Sequence, residues 1–289
     1  MSITAKVIAH GRASGAPDLF TLEARYPRLI HAEFMTHRLF SRNASSSRAI
    51  PIEKMIQSVI DDPAMPVAWG SNKPGMQAGD DPESLVLCGA SLNTTDRYGP
   101  YVSPEQAWCY ARDRAVEMAR NFSEAGYHKQ IANRLLEPFG HITVVVTATE
   151  WSNFFDLRCH PDADPTMRAL AEAMRDAIEM SEPNDWDEYH LPYVVQSDWD
   201  WAYDENRVNG SGLFAPLAMI SAARCARVSY LTHAGEKPAL DKDITLAKRL
   251  LESRHLSPFE HQAQADPEDL RRCDHGNFTG WIQHRQVVQ

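Results

Sequence analysis

Residues 36–48 read Thr36-His-Arg-Leu-Phe-Ser-Arg-Asn-Ala-Ser-Ser-Ser-Arg48, which packs one histidine, three arginines, one asparagine and four serines into thirteen positions. Hydroxyls, free backbone N–H groups and guanidinium forks together make an anion site. A solvated cap rich in serine and arginine has the same composition, so composition alone leaves both readings open. The segment feeding the cluster favours the first. After Tyr26-Pro27, residues 28–40 place Leu29, Ile30, Phe34, Met35 and Leu39 at helical spacing. A helix entered through proline would hold the cluster rigidly at the edge of a core. Residues 42–48 then read as a loop or an irregular helix end.

Outward from this stretch, residues 18–25 alternate apolar and polar as a half-buried strand does. Residues 104–136 are helical in pattern, with Gly126 as a break or C-cap. The β-branched run 142–149, bounded by Gly140 and Trp151, predicts a buried strand. Helices are expected over 151–158, 165–182, 215–228 and 241–254, and a turn over 254–261. Residues 62–103, rich in Pro, Gly, Asp and Asn, read as an insertion on the surface. Residues 183–212 read as a linker or lid. The whole chain, 1–289, is expected to form one catalytic domain.

Composition bounds the function. The 289 residues carry 29 basic and 39 acidic side chains, a formal charge of −10. A protein that grips long nucleic acid by its backbone needs a broad basic surface, so no polymeric nucleic acid is expected as a partner. Arginine outnumbers lysine 22 to 7. That bias suits small anions gripped in local pockets, although an arginine-rich genome would produce it too. No apolar run is long enough to cross a bilayer, so no membrane partner is expected. The start, Met1 to Lys6, has no basic region leading into an apolar run. Five cysteines, an odd number at irregular spacing, are simplest as free thiols in a reducing cytoplasm.

Three further constellations bear on chemistry. Arg134 and Arg158 flank the predicted buried strand. An arginine amid Phe154, Phe155 and Leu157 is costly unless paired with an anion, which leaves a bound ligand or a salt bridge to Asp156 or Asp162. Cys159-His160 has the residue types of a nucleophile and its base, but neighbours in a helix rarely face each other. His255, His261, Cys273, His275 and His284 match no common zinc spacing, so no metal is expected. There is no phosphate-binding P-loop and no G-x-G-x-x-G fingerprint.

The segment His37-Arg38-x-x-Ser41-x-Asn43-x-x-Ser46-x-Arg48 resembles the R-H-R-x-x-S-x-N-x-x-S-x-R signature of flavin-dependent thymidylate synthases. Ala132-Asn-Arg-Leu-Leu-Glu-Pro138 resembles that family's A-R-x-V-L-P segment, and Asn153-Phe-Phe-Asp-Leu-Arg158 its N-F-x-x-L-R helix. Ala226-Arg-Val-Ser-Tyr230 and His255-Leu-Ser-Pro-Phe-Glu-His261 resemble A-R-x-C-Y and H-x-S-P-x-E-H, segments that precede the R-H-R motif in the usual family. Here they follow it by about two hundred residues. A circular permutation accounts for this order, and so does a partial tandem copy, given His284-Arg285 near the end.

The resemblance implies a mixed α/β (α+β) fold, a central and mainly antiparallel sheet flanked by helices, with segment order permuted. It implies a homotetramer with sites between subunits. FAD would be the cofactor, with NADPH and methylenetetrahydrofolate as cosubstrates. One carbon would pass to C5 of a deoxypyrimidine monophosphate, in the family's usual case dUMP giving dTMP. His37, Arg38, Asn43, Thr147 and Asn153 would meet FAD. Glu33, Ser45, Ser46, Ser47, Arg48, Arg134 and Arg158 would hold the nucleotide. Arg158 would be the catalytic group, stabilising negative charge at N3. His261 would lie at the folate or flavin ring. The chain departs from the family pattern at Glu33, Thr36, Ala44, Ala49, Thr149 and Asp162. Those departures keep two alternatives open: a methylase or hydroxymethylase acting on dUMP or dCMP, and a noncatalytic nucleotide-binding remnant.

Overall fold

The computed structural model describes residues 3–88, 101–183, 188–209, 212–228 and 239–288. Its first half runs β1 (Thr4–Gly11), β2 (Leu19–Pro27), α1 (His31–Phe34), β3 (Ser41–Ala44), α2 (Ile52–Asp61), β4 (Val86–Leu87), β5 (Tyr101–Val102) and α3 (Pro104–Glu124). Then come α4 (Lys129–Ala132), β6 (His141–Ala148), α5 (Ser152–Arg158), α6 (Pro165–Glu179), β7 (Tyr189–His190), α7 (Gln196–Asn209) and α8 (Phe214–Ala226). The chain closes with α9 (Leu240–Glu252), β8 (Ala263–Ala265), β9 (Trp281–Gln283) and α10 (His284–Val288).

The central sheet has the order β1-β2-β6-β3 and is antiparallel throughout. β6 lies inside it because its β-branched run is buried on both faces. Period-two alternation gives the sheet two different sides. Leu22, Ala24 and Tyr26 of β2 and Val144, Val146 and Ala148 of β6 face a core filled by Phe34, Phe40, Phe154, Met167, Leu170 and Met174. On the opposite face Thr21 and Thr147 are fully buried, and the residues that cover them come from the C-terminal third. A second sheet, β7-β8-β9, packs there, with Trp281 against Leu19.

The helices follow local signals. Helix α3 begins with a reciprocal capping box between Ser103 and Gln106 and ends before Gly126, whose φ of +83° suits a residue without a Cβ. Asp164 caps α6 by accepting from the backbone N–H groups of Thr166 and Met167. Helices α7, α8 and α9 are tied by a buried ion network. Arg224 donates to Asp198 at 2.8 Å and to Asp243 at 2.9 Å, with its remaining reach on the Tyr193 carbonyl.

Three expectations differ from the structure. Helix over 28–40 shrinks to a 3₁₀ turn (Arg28–Ile30) and the single turn of α1. Its apolar spacing does not build one face: Ile30 and Phe34 are buried, while Leu29, Met35 and Leu39 are exposed. Part of the expected loop over 42–48 is β3, a mostly polar edge strand that pairs with β6 through its backbone. Within 183–212, residues 196–209 form α7, with Trp199 and Ala202 buried against α8, so this part is packed structure rather than a bare connection. Residues 62–88 of the expected insertion are irregular and largely exposed, and β4 pairs with β5 at its far end. Residues 89–100, 184–187, 210–211 and the Ser229-Tyr230 end of one quoted motif lie outside the described residues.

Candidate functional site

Two chain reversals bring the central residues together. His37 lies in the turn between α1 and β3, and Arg158 is the last residue of α5. The Arg158 Nε donates to the His37 Nε2 at 2.9 Å, and its Nη1 is ion-paired with Glu33 of α1. The salt bridges to Asp156 or Asp162 weighed for Arg158 are thus replaced by one across 125 residues of chain. Because Nε2 accepts, the His37 proton sits on Nδ1. Burial, then the cations of Arg158 and Arg42, push its pKa down to about 4, so the ring is neutral near pH 7. The edge of Phe154 supports the ring, with centroids 4.8 Å apart and planes at 85°.

His37, Phe154 and Arg158 form one wall of a cavity of about 230 Å³, shared with Arg38, Leu39, Glu150, Asn153 and Leu157. Arg38 and Asn153 present exposed polar ends, and Leu39 and Leu157 are each 53% exposed. Glu150 was not anticipated. Hydrogen bonds from Ser152 hold its carboxyl below the usual range, and it brings negative charge to the same wall. Arg158 also opens onto a second, larger cavity of about 940 Å³, which Glu33, Trp69, Lys73 and Gln77 help to line. The irregular 62–88 segment therefore builds a wall beside Arg158.

The serine cluster lies elsewhere. Ser41 pairs with Thr147 and Ala44 with Val144, so β3 separates the two groups by about 10 Å. Ser45 continues the ladder by donating its N–H to the Thr143 carbonyl and accepting from the Thr143 N–H on Oγ. The buried Asn133 amide donates to the carbonyls of Ser47 (2.7 Å) and Ile50 (2.9 Å), which fixes the turn between them. Ser47 donates to Glu137 at 2.6 Å, and Arg28 and Arg134 approach the same carboxylate at 3.4 and 3.8 Å. Ser46, Arg48 and Arg134 remain exposed around it. Sequence reasoning missed Asn133 and Glu137 as organisers of this end; both stand inside the quoted 132–138 segment.

The expected nucleotide set is therefore divided within one chain. Glu33 and Arg158 sit at one end of β3, and Ser45, Ser46, Ser47, Arg48 and Arg134 at the other. The expected flavin set divides too. His37, Arg38 and Asn153 share a cavity wall, whereas Asn43 and Thr147 do not line it. Asn43 donates to the Cys225 carbonyl at 3.0 Å and accepts from Ser257 at 3.1 Å, bracing β3 against the C-terminal segments. Thr147 is fully buried in a chain that runs from His190 through Thr21 and Thr147 to His261, with steps of 2.7, 2.6 and 2.8 Å. Burial pushes both imidazoles down to about 3, so they are neutral. His261 Nε2 has no hydrogen-bond partner among the described residues, and the ring is fully buried rather than open to a ligand surface.

The remaining candidates carry little chemistry. Burial raises the Cys159 thiol above its ordinary value, which disfavours a thiolate. Among the described residues one set of ligand types, Asp266, Asp269 and His275, lies within metal reach. Asp266 already accepts from the Leu270 and Arg271 N–H groups and pairs with His275 at 2.9 Å, so the cluster is a self-satisfied loop.

The family model described as thymidylate synthase complementing protein matches residues 18–184, more than half of the chain. The chain belongs to this family. The matched span holds β2, β3 and β6 of the central sheet and the Arg158 helix, so the thymidylate synthase complementing protein signature covers both polar groups described above. Solved structures similar to the chain include a UMP/dUMP methylase, PolB, from Streptomyces cacaoi bound with 5-Br UMP. It has 17% identity and a TM-score of 0.41, and the alignment covers 61% of this chain and 88% of that one. The same enzyme bound with 5-Br dUMP gives 16%, 0.40, 61% and 90%. Among curated proteins none matches closely.

Proposed function

We propose that this chain is an enzyme that transfers a one-carbon unit from methylenetetrahydrofolate to C5 of a deoxypyrimidine monophosphate, with FAD as cofactor and NADPH as reductant. The observation that carries the reading, beside family membership, is Arg158: a guanidinium held in place by a neutral His37 at the junction of two cavities. A cation fixed before the reaction begins is preorganised to stabilise charge that develops at a pyrimidine edge. The flavin, when bound, would supply the hydride chemistry.

The residues at the smaller cavity fit one end of such a cofactor in type. Arg38 offers a cation to a phosphate, Asn153 an amide to a ring or ribose, and Leu39 and Leu157 an apolar border. A cavity of about 230 Å³ is below the roughly 300–1,000 Å³ of ordinary ligand sites, so one chain would supply only part of the enclosure. The same follows from the divided nucleotide set. Completion by a neighbouring subunit, as in a homotetramer, would bring the Ser45–Arg48 turn and Arg134 of one chain toward Arg158 of another. The serine hydroxyls and the two arginines would then grip the phosphate.

The permuted segment order also gains support. Ser257 bonds Asn43 and His261 bonds Thr147, across 214 and 114 residues of chain, so the His255–His261 segment packs on β3 and β6, which both precede it. Folding brings it to the motif it would precede in an unpermuted chain.

The test is the visible absorption spectrum of the purified protein after loading with FAD and removing the excess, followed by turnover with dUMP or dCMP under reducing conditions. A retained flavin spectrum with a C5-modified product is the expected result. Nucleotide binding without turnover in the reduced enzyme would replace this reading with the noncatalytic one.

A further inference from the structure

We propose that the Glu33–Arg158 pair selects cytosine over uracil, so that the nucleotide this chain accepts is dCMP; the inference rests on the reading above that Arg158 faces pyrimidine N3. The pair is built across the fold, from α1 to the last residue of α5. Of the guanidinium, Nε is committed to His37 and Nη1 to Glu33. One carboxylate oxygen of Glu33 takes that bond, and the other has no partner among the described residues. Both side chains line the 940 Å³ cavity. A ligand there meets a donor and an acceptor side by side.

The two bases answer that pattern differently. Cytosine N3 carries a lone pair, and the amino group on C4 beside it is a donor. Arg158 can donate to N3 while Glu33 accepts from the amino group, and no proton need leave the base. Neutral uracil carries a proton on N3, so it sets donor against donor at Arg158. Removing that proton makes N3 an acceptor, yet both flanking groups are then carbonyl oxygens. With Arg158 at N3, a carboxylate beside it meets an acceptor whichever way the ring lies. Neutral uracil satisfies both groups only by giving a carbonyl oxygen to Arg158 and its N3 proton to Glu33, a placement that takes Arg158 off N3. Glu33 also offsets much of the positive charge that would favour a uracil anion. Uracil is what the family resemblance led one to expect; the carboxylate at position 33 reverses the preference.

The experiment is isothermal titration of the full-length, FAD-loaded protein with dCMP and with dUMP, repeated for Glu33→Gln after circular dichroism has shown that the variant is folded. The expected result is tighter binding of dCMP by about tenfold or more, with that preference lost or reversed in Glu33→Gln. Wild-type binding of dUMP as tight as that of dCMP overturns the inference whatever the variant does. So does a Glu33→Gln protein that keeps the wild-type preference. If dUMP is preferred and flavin is retained, base selection fails and the proposed function stands. If neither nucleotide binds and flavin is lost, the failure belongs to the proposed function itself.

Discussion

Acid should unfold this protein through its buried imidazoles. Burial holds His141 and His284 near pKa 4 and His190 and His261 near 3, against an ordinary value near 6.5. Each native ring is neutral at a pH where the unfolded chain would protonate it. The unfolded state therefore binds the extra protons between about 6.5 and the depressed values, and stability is lost as pH falls through that window. At pH 5 the linkage amounts to about 2 kcal/mol for each ring, or about 8 kcal/mol for the four. Since domains are stable by only about 5–15 kcal/mol, that loss approaches the whole. The four contribute about equally at pH 5, and His190 and His261 alone go on costing stability below about pH 4. These two terminate one hydroxyl chain through Thr21 and Thr147 beneath the central sheet, and a charge at either end has no counter-ion among the described residues. Urea denaturation followed by far-UV circular dichroism at pH 7.5 and pH 5 measures the effect. The midpoint should fall steeply with little change in slope. Equal midpoints at the two pH values would refute the reasoning, because they would require these rings to titrate alike in both states.

Three substitutions test other parts of the structure. Arg158→Met should lower kcat by about 10²–10³-fold and free His37, whose imidazole proton signals in NMR should then titrate at higher pH than about 4. Asn133→Ala strips the Ile50 carbonyl of its amide donor and leaves the Ser47 carbonyl with the Ile50 N–H alone, and should cost about 1–3 kcal/mol in urea denaturation while weakening nucleotide binding through the displaced serine turn. Arg224→Met takes from the buried Asp198 the one cation paired with it among the described residues and leaves Asp243 with Arg227 alone, and should destabilise by about 3–5 kcal/mol, read as a lowered Tm, without altering base preference.

Much of the architecture follows from patterns local to the chain. The alternation in 18–25 and the β-branched run 142–149 became β2 and β6, and the helices over 104–124, 152–158, 165–179, 214–226 and 240–252 lie where periodicity and caps place them. These elements were legible because burial on a sheet or a helix repeats with a short period. The residues around Arg158 were legible for another reason: their types, in that spacing, match a family pattern. Local sequence did not reveal β3. Its four residues carry no apolar alternation, and what holds them extended is the backbone of β6, about a hundred residues away. Nor did it reveal that Glu33 and His37 would share Arg158, or that Asn43, Thr147 and His261 would close into the interior. Those outcomes depend on which distant groups meet once the C-terminal third covers the threonine face of the sheet. Residue types and spacing determined the elements and the stock of chemical groups; tertiary packing decided which groups face a cavity and which are buried as braces, because hydrogen bonds and desolvation act between neighbours in space.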